Sequence, residues 1–352
     1  MSIQPKHILY TIPNFDTAGS QYVLTYLIKH SPKNYTVYIG VDKAIALVPD
    51  VVPKSQRLLI KKSGDLWRDA LKFSKQLKAN NIDIIHSWDY RSELVEVIGA
   101  RLARVPYIFT KKNNAWNKRW HIKSLLATHI AYDNPDMKMR FFNYWYLGKK
   151  ISFIPHGVDI NQFQPEINRE LKTSSFNIGC VGQINKNKNQ EFLVSLLPEL
   201  PQFVRLYLYG KYDSAYLEYL KKIAEELGVI NRVTFGDYIS NNELPKVLTQ
   251  LQVFILPSRQ EGLPVAVLEA LACGVPVLCS DSGGGARYIF RLGKGGDVFQ
   301  LNDKDKVLKW LKQCYTNSTF YNKKQTEARE VAEMFNADYE VEAYHKLYDK
   351  LL

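Results

Sequence analysis

Short β-branched runs alternate with helical patterns along the whole chain, and this alternation limits the possible folds more than any other feature. HILYTIP, YTVYIG, DIIHSW, VPYIFT, HIAY and KISFIP read as strands in the first half. FNIGCVG, VRLYLYG, RVTFGDY, QVFILP and VPVLCS read as strands in the second. Between them, stretches such as GSQYVLTYLIKH and RSELVEVIGARLAR repeat apolar residues at i, i+3, i+4 and i+7, the helical period. Strands joined through helices form parallel sheets covered on both faces. Two such series predict an α/β chain of two doubly wound, Rossmann-like domains with a cleft between them. The 352 residues are enough for two separate cores. The polar, proline-containing stretch 156–174 reads as the linker. This gives an N-terminal domain of residues 1–158, joined by a returning helix at 338–352, and a C-terminal domain of residues 159–337.

With 46% hydrophobic and 23% charged residues, the chain is of ordinary globular composition, which excludes disordered and fibrous classes. The longest apolar runs, such as Val265–Leu268, are broken by Glu269, Gly274 or Pro276, so no membrane span of roughly 20 apolar residues is expected. MSIQPKHILYTIP lacks an apolar signal region, and a cytoplasmic protein is expected. Cys180, Cys273, Cys279 and Cys314 form no C-x-x-C pair and read as buried reduced thiols. The charge is uneven. Residues 1–155 hold 24 Lys+Arg against 11 Asp+Glu, whereas the remainder is nearly neutral. An anionic partner for the N-terminal half is therefore expected. No nucleic-acid-binding module is recognisable, so nucleic acid is not the expected partner.

Ligands of open parallel sheets bind beyond the carboxyl ends of strands, which directs attention to three loops. In PSRQEGLPVAVLEALACGVP, Gly262 permits close backbone approach, and Pro264 suits the first turn of a helix whose free N–H groups favour an anion. Glu261 precedes that helix and Glu269 lies about a turn and a half inside it. A phosphate would repel both acids, so they are expected to accept hydrogen bonds from sugar or ribose hydroxyls. In CVGQINKNKNQEFLV, Lys188 stands near a helix start, where a cation makes sense opposite a bound phosphate. SDSGGGARYI follows a buried strand, and its glycines allow a ligand or another backbone to come close. Gly19, between the first strand and helix, marks another possible anion loop, although TIPNFDTAGSQYVL is not a dinucleotide fingerprint.

EGLPVAVLE followed by ALACGVPVLCSDSGG resembles the E-x7-E motif of the retaining glycosyltransferases of family 4, which have the two-domain GT-B fold. KISFIPHGVDINQFQP, CVGQINKNKN, VTFGDY and DIIHSWDYRSELVEVIGARLARVP resemble further segments of that family, so the likeness covers almost the whole chain. By this resemblance Glu261 lies beside the donor sugar, Glu269 holds the ribose, and the backbone of Gly262, Leu263 and Pro264 meets sugar and diphosphate. Lys188 corresponds to the phosphate-binding lysine. Gly19 approaches the donor on closure, and Tyr238 and Ile239 fall where the nucleobase rests. His86, Lys112, Asn113 and His156 are acceptor-side candidates. The chain also departs from the pattern. Gln183 replaces the arginine before the lysine, and His156 the asparagine of N-G-V-D. Lys111, Lys112 and Asn113 stand where a histidine is often found. Arg287 or a neighbour replaces an acid after the glycines, and is a candidate substitute for the missing arginine.

The expected activity is transfer of a sugar from a nucleotide-diphosphate donor to a hydroxyl acceptor, hexosyltransferase-like and retaining, in bacterial-type cell-surface polysaccharide or glycolipid assembly. No cofactor or metal is expected, because no D-x-D ends a buried strand; Lys188 and helix-end amides would stabilise the leaving diphosphate instead. A sugar-nucleotide epimerase of the same fold, or a catalytically weak nucleotide-sugar-binding protein, is the alternative. MKMRFFNYWYLGKK interleaves Lys138, Arg140, Lys149 and Lys150 with Phe141, Phe142, Tyr144, Trp145 and Tyr146. This pattern predicts contact with an anionic membrane on its inner leaflet, near a lipid-linked glycan acceptor.

Overall fold

The computed structural model describes residues 5–15, 19–43, 45–166 and 175–352. It divides into two compact units. One runs to His156 and takes up Ala337–Leu352, and the other is Gly157–Asn336.

The strands of the first unit are β1 (Lys6–Ile12), β2 (Tyr35–Val41), β3 (Arg57–Leu59), β4 (Ile84–Ser87), β5 (Tyr107–Lys111), β6 (His129–Tyr132) and β7 (Ile151–Phe153). They form one sheet in the order β3-β2-β1-β4-β5-β6-β7, every pair parallel. Strands β4, β5 and β6 are buried at every residue, as expected of a parallel sheet covered on both faces. The helices are α1 (Gly19–Lys29), α2 (Leu66–Ala79), α3 (Val95–Ala103), α4 (Lys118–Leu126), α5 (Asp136–Phe141) and, from the far end of the chain, α13 (Ala337–Leu351). Asp65 caps α2 by accepting from the Arg68 N–H. The close packing of α2 on α3 requires Gly99, where a Cβ would stand 2.8 Å from the Ala70 carbonyl oxygen.

Helix α13 completes this unit. Buried Tyr344 and Tyr348 hydrogen-bond Thr110 on β5 and His86 on β4, and Asp349 accepts from Lys6 and Tyr35.

The second unit contains β8 (Phe176–Val181), β9 (Val204–Tyr209), β10 (Val233–Gly236), β11 (Val253–Leu256), β12 (Val277–Ser280) and β13 (Gly296–Phe299). Their order is β10-β9-β8-β11-β12-β13, again all parallel. Its helices are α6 (Gln190–Leu196), α7 (Ser214–Glu226), α8 (Leu244–Leu248), α9 (Val265–Ala272), α10 (Gly285–Ile289), α11 (Lys304–Thr316) and α12 (Ser318–Glu333). The sequence pattern did not reveal β3 and β13, short strands at sheet edges.

Residues 167–174 of the stretch read as a linker lie outside the described residues. Residues 157–166 are packed structure rather than linker. Val158 and Phe163 are buried in the core of the second unit. Arg329 on α12 donates to the carbonyls of Ile160, Phe163 and Ala272, which anchors this segment. All four cysteines are free and buried. No helix among the described residues is long and apolar enough to cross a membrane.

Candidate active site

In the second unit strand order reverses between β8 and β11, so the loops after these strands flank a switch point, the usual ligand position in such sheets. The loop after β8 carries Lys188 and the loop after β11 carries Glu261. Lys188 Nζ donates to Glu261 Oε1 at 2.6 Å, and both side chains are largely buried. Burial alone would lower the Lys188 pKa, but the Glu261 carboxylate outweighs it and the net shift is upward. The ammonium is therefore a fixed cation at neutral pH.

The third loop, after β12, supports the second through its backbone. The Glu261 N–H donates to the Ser282 carbonyl at 2.9 Å. A Cβ on Gly285 would stand 2.0 Å from the Gly262 carbonyl oxygen, so only glycine allows this approach. At Gly285 the close neighbour is thus another backbone. Pro264, at φ −76° and ψ 103°, precedes α9, which opens at Val265. Leu263 is buried beside it.

Glu269 lies one and a half turns into α9 with only 6% of its surface exposed. No hydrogen bond reaches its carboxylate among the described residues, and burial pushes its pKa up to about 7. An unpartnered buried carboxyl group is costly unless something else supplies donors.

The other donor-side candidates lie nearby in sequence but differ in their contacts. Gln183 follows β8. Its main-chain carbonyl accepts from Gln190, and its side chain accepts from Asn185. Tyr238 and Ile239 follow β10. Tyr238 is partly exposed with Lys211 Nζ 5.5 Å from its ring centre, and Ile239 packs on the core. Arg287, in α10, donates from Nη1 to both Asp281 oxygens at 2.5 Å. Its guanidinium thus has an intramolecular carboxylate partner, as Lys188 has in Glu261.

In the first unit Gly19 opens α1, while residues 16–18 of its loop lie outside the described residues. His86 does not occupy an open acceptor-side position: it is 0% exposed, with Nδ1 2.6 Å from Tyr348 Oη and Nε2 2.7 Å from Thr110 Oγ1. Burial and the nearby Lys112 charge hold its pKa well below the usual histidine value. His156 is also buried. Its Nδ1 contacts Glu340 at 2.9 Å, and its Nε2 lies 3.4 Å from Asp133. Burial would lower its pKa, but the two acids raise it above the usual value. Both histidines are interior groups because sheet strands and α13 converge on them.

Lys112 Nζ donates to the Trp88 carbonyl at 2.6 Å and lies 4.2 Å from the Trp88 ring centre, its pKa pulled down to about 7 by burial. Asn113 donates to the Tyr90 carbonyl and accepts from Lys111. Tyr90, whose carbonyl accepts from Asn113 beyond the ends of β4 and β5, leaves its side chain exposed there. Among the described residues no three or more His, Cys, Asp or Glu side chains gather as metal ligands.

Two family models match end to end, Glycosyltransferase Family 4 over residues 18–162 and Glycosyl transferases group 1 over residues 163–331. The chain belongs to the family 4 glycosyltransferases. A GDP-mannose-dependent alpha-(1-6)-phosphatidylinositol monomannoside mannosyltransferase of Mycolicibacterium smegmatis is 32% identical over 198 residues, 51% of either chain. The chain thus spans about half the length of this curated relative. A UDP-Gal:alpha-D-GlcNAc-diphosphoundecaprenol alpha-1,3-galactosyltransferase of Escherichia coli is 27% identical over 270 residues, 67% of either chain. The Anabaena protein HepE, solved with UDP and glucose, shares the fold at a TM-score of 0.83 and 16% identity, over 98% of this chain and 100% of that one. The architecture is therefore the GT-B fold of this family, two Rossmann-like domains.

Two of the chain's departures from the glycosyltransferase pattern now have physical partners. At position 156 an imidazole holds two buried acids, and Lys111 and Lys112 spend their charge on asparagine, backbone and tryptophan. No local sequence signal could have paired His156 with Glu340, 184 residues away.

Proposed function

We propose that the chain transfers a glycosyl group from a nucleoside-diphosphate sugar to a hydroxyl acceptor, with retention and without a bound metal, in assembly of a cell-surface polysaccharide or glycolipid. The observation that carries this reading is the Lys188–Glu261 contact across two adjacent strand ends, with Glu269 buried and unpartnered in the helix α9 that follows Glu261. Glu269 would accept from ribose hydroxyls, and Glu261 from the sugar. Lys188 and the N-terminal amides of α9 would meet the diphosphate. The acceptor oxygen attacks the anomeric carbon from the side of the leaving group while the bond to diphosphate breaks, and the acceptor proton passes to a diphosphate oxygen. The similarity to a GDP-mannose-dependent mannosyltransferase and a UDP-Gal-dependent galactosyltransferase, both named for lipid-linked acceptors, supports a nucleotide-sugar donor and a lipid-linked acceptor. Lys112 and Asn113 are the acceptor-side groups we retain, and exposed Tyr90 is one we add.

A panel of nucleotide sugars in thermal-shift assays tests the donor reading. A true donor at 100 times its dissociation constant adds about 2.7 kcal/mol of stability. Product anomeric configuration and activity in excess EDTA then test retention and metal independence. Stabilisation by no nucleotide sugar would remove the proposal.

The role of Glu269 has a pH signature. Its carboxyl group is protonated below about pH 7, and a ribose hydroxyl needs an acceptor. Affinity for the bare nucleoside is expected to fall about tenfold per pH unit below that value. Glu269→Gln should flatten the profile, and a native profile already flat from pH 5.5 to 8 would take Glu269 out of the site.

For the acceptor we propose a peripheral position on the cytoplasmic face of an anionic membrane. The aromatic segment divides. Phe141, Phe142 and Leu147 are core residues, whereas Trp145 is 94% exposed together with Met139, Tyr144 and Tyr146. Lys138, Arg140 and Lys149 are exposed beside them, and α4 adds exposed Ile122 and Leu125. Lys150 instead donates to the Leu125 and Ala127 carbonyls, so it is a poor position to mutate. Sedimentation with anionic liposomes should fall with salt and with the triple change Arg140→Glu, Trp145→Ala, Lys149→Glu. Absence of binding at low salt would leave a soluble acceptor as the better reading.

A further inference from the structure

The loop carrying Lys188 has no regular structure, yet it is stitched to the loop after β11 on both sides of the lysine. Before it, the Asn187 carbonyl accepts from the Arg259 N–H at 2.7 Å, and Asn187 Nδ2 donates to the Gln260 carbonyl at 3.1 Å. After it, buried Asn189 donates to the Pro257 carbonyl at 3.1 Å. Asn189 is left-handed at φ 58° and ψ 40°, a conformation that asparagine tolerates better than most residues. The Arg259 guanidinium spans the whole turn. Nε donates to the Lys186 carbonyl at 3.2 Å, and Nη2 donates to Asn189 Oδ1 at 2.8 Å and Glu191 Oε1 at 2.7 Å.

We infer that Arg259 is a positioning residue, which acts through Lys188 by fixing the backbone from which that side chain reaches Glu261. The inference rests on the reading of Lys188 as the donor-phosphate cation. A lysine on a flexible stem can satisfy Glu261 from many backbone positions. Electrostatic help to a leaving diphosphate instead demands one geometry, held before the reaction. The planar guanidinium reaches the carbonyl from Nε and the amide oxygen and carboxylate from Nη2, a span that the single ammonium of lysine does not reproduce.

The test is a double-mutant cycle on the full chain, read by affinity for UDP or GDP, whichever the native protein binds, and for the matching nucleoside. Arg259→Ala should weaken the diphosphate about tenfold, the scale of a lost charge-assisted hydrogen bond, and leave the nucleoside nearly unchanged. In a Lys188→Met background the same change should have little further effect. Arg259→Lys should recover part of the loss. Hydrogen exchange of amides 185–190 in the nucleotide-free protein, measured for Arg259→Ala, should rise while the core stays protected. Equal losses in both backgrounds, or loss of nucleoside and diphosphate alike, would overturn the inference, as would unchanged exchange in that loop. Lys188→Met without effect on diphosphate affinity would sink the donor reading itself, and the exchange result alone then decides whether Arg259 holds the loop.

Discussion

Lys188→Ala is expected to lower turnover by about 10²- to 10³-fold, the usual cost of removing one preorganised group that faces developing charge. Two effects act together. On the proposed function, the cation opposite the leaving diphosphate disappears, and the largely buried Glu261 loses its ammonium and turns its charge on the same phosphates. Affinity for the nucleoside diphosphate should fall with turnover, while affinity for the bare nucleoside stays close to native. A steady-state assay with the identified donor, alongside calorimetry of nucleoside and diphosphate, checks this. Parallel loss for both ligands would mean that the lysine serves packing and not the phosphates.

The second large effect concerns stability. His156→Asn, which installs the residue more usual in the family, should destabilise the chain by about 3–5 kcal/mol at neutral pH, because it removes the cation that faces two buried acids. The pH dependence has a definite sign. The folded-state pKa of His156 is raised, so its contribution is complete below the ordinary histidine pKa of about 6.5 and is lost as pH climbs through the folded value. Asp133, whose pKa burial pushes up to about 6, adds a cost over a lower range as it ionises. Lys111 and Lys112, pulled down to about 7 by burial, act in the opposite direction above that pH. Total stability therefore mixes opposing trends, and the difference between native and His156→Asn isolates the histidine. That difference, from urea titrations at several pH values, should shrink from pH 6 toward pH 9. A gap that widens with pH would show that the imidazole is not charged in the fold.

The sheets were readable because parallel strands buried on both faces need continuous apolar, β-branched runs. The same rule brought Lys188 and Glu261 together, since both follow strands that pair in register around the switch point. Where the reading failed, the deciding contacts are long-range. His86 looked available at a strand end, but α13 covers it with a tyrosine 262 residues away. The pairing of Arg287 with Asp281, six residues before it, likewise had no signal in the sequence. The strands β3, RLL, and β13, GDVF, lie at sheet edges and carry charged or glycine residues in place of a continuous apolar run. Arg259 carried no signal, because its partners, two oxygens of a polar turn and the Glu191 carboxylate, lie about 70 residues before it in the chain.

Helix α13 has a consequence for how the chain is made. Its tyrosines fill the face of a sheet whose first strand leaves the ribosome more than 300 residues earlier, with the entire second unit synthesised in between. Throughout that interval Tyr10 and His86 lack their final cover, so the second unit can finish folding before the first. The first unit must stay competent for late docking, with apolar surface exposed and in need of protection from aggregation. A fragment that stops before Ala337 should accumulate in inclusion bodies. A rearranged gene that places α13 ahead of β1 should yield the first unit in soluble form.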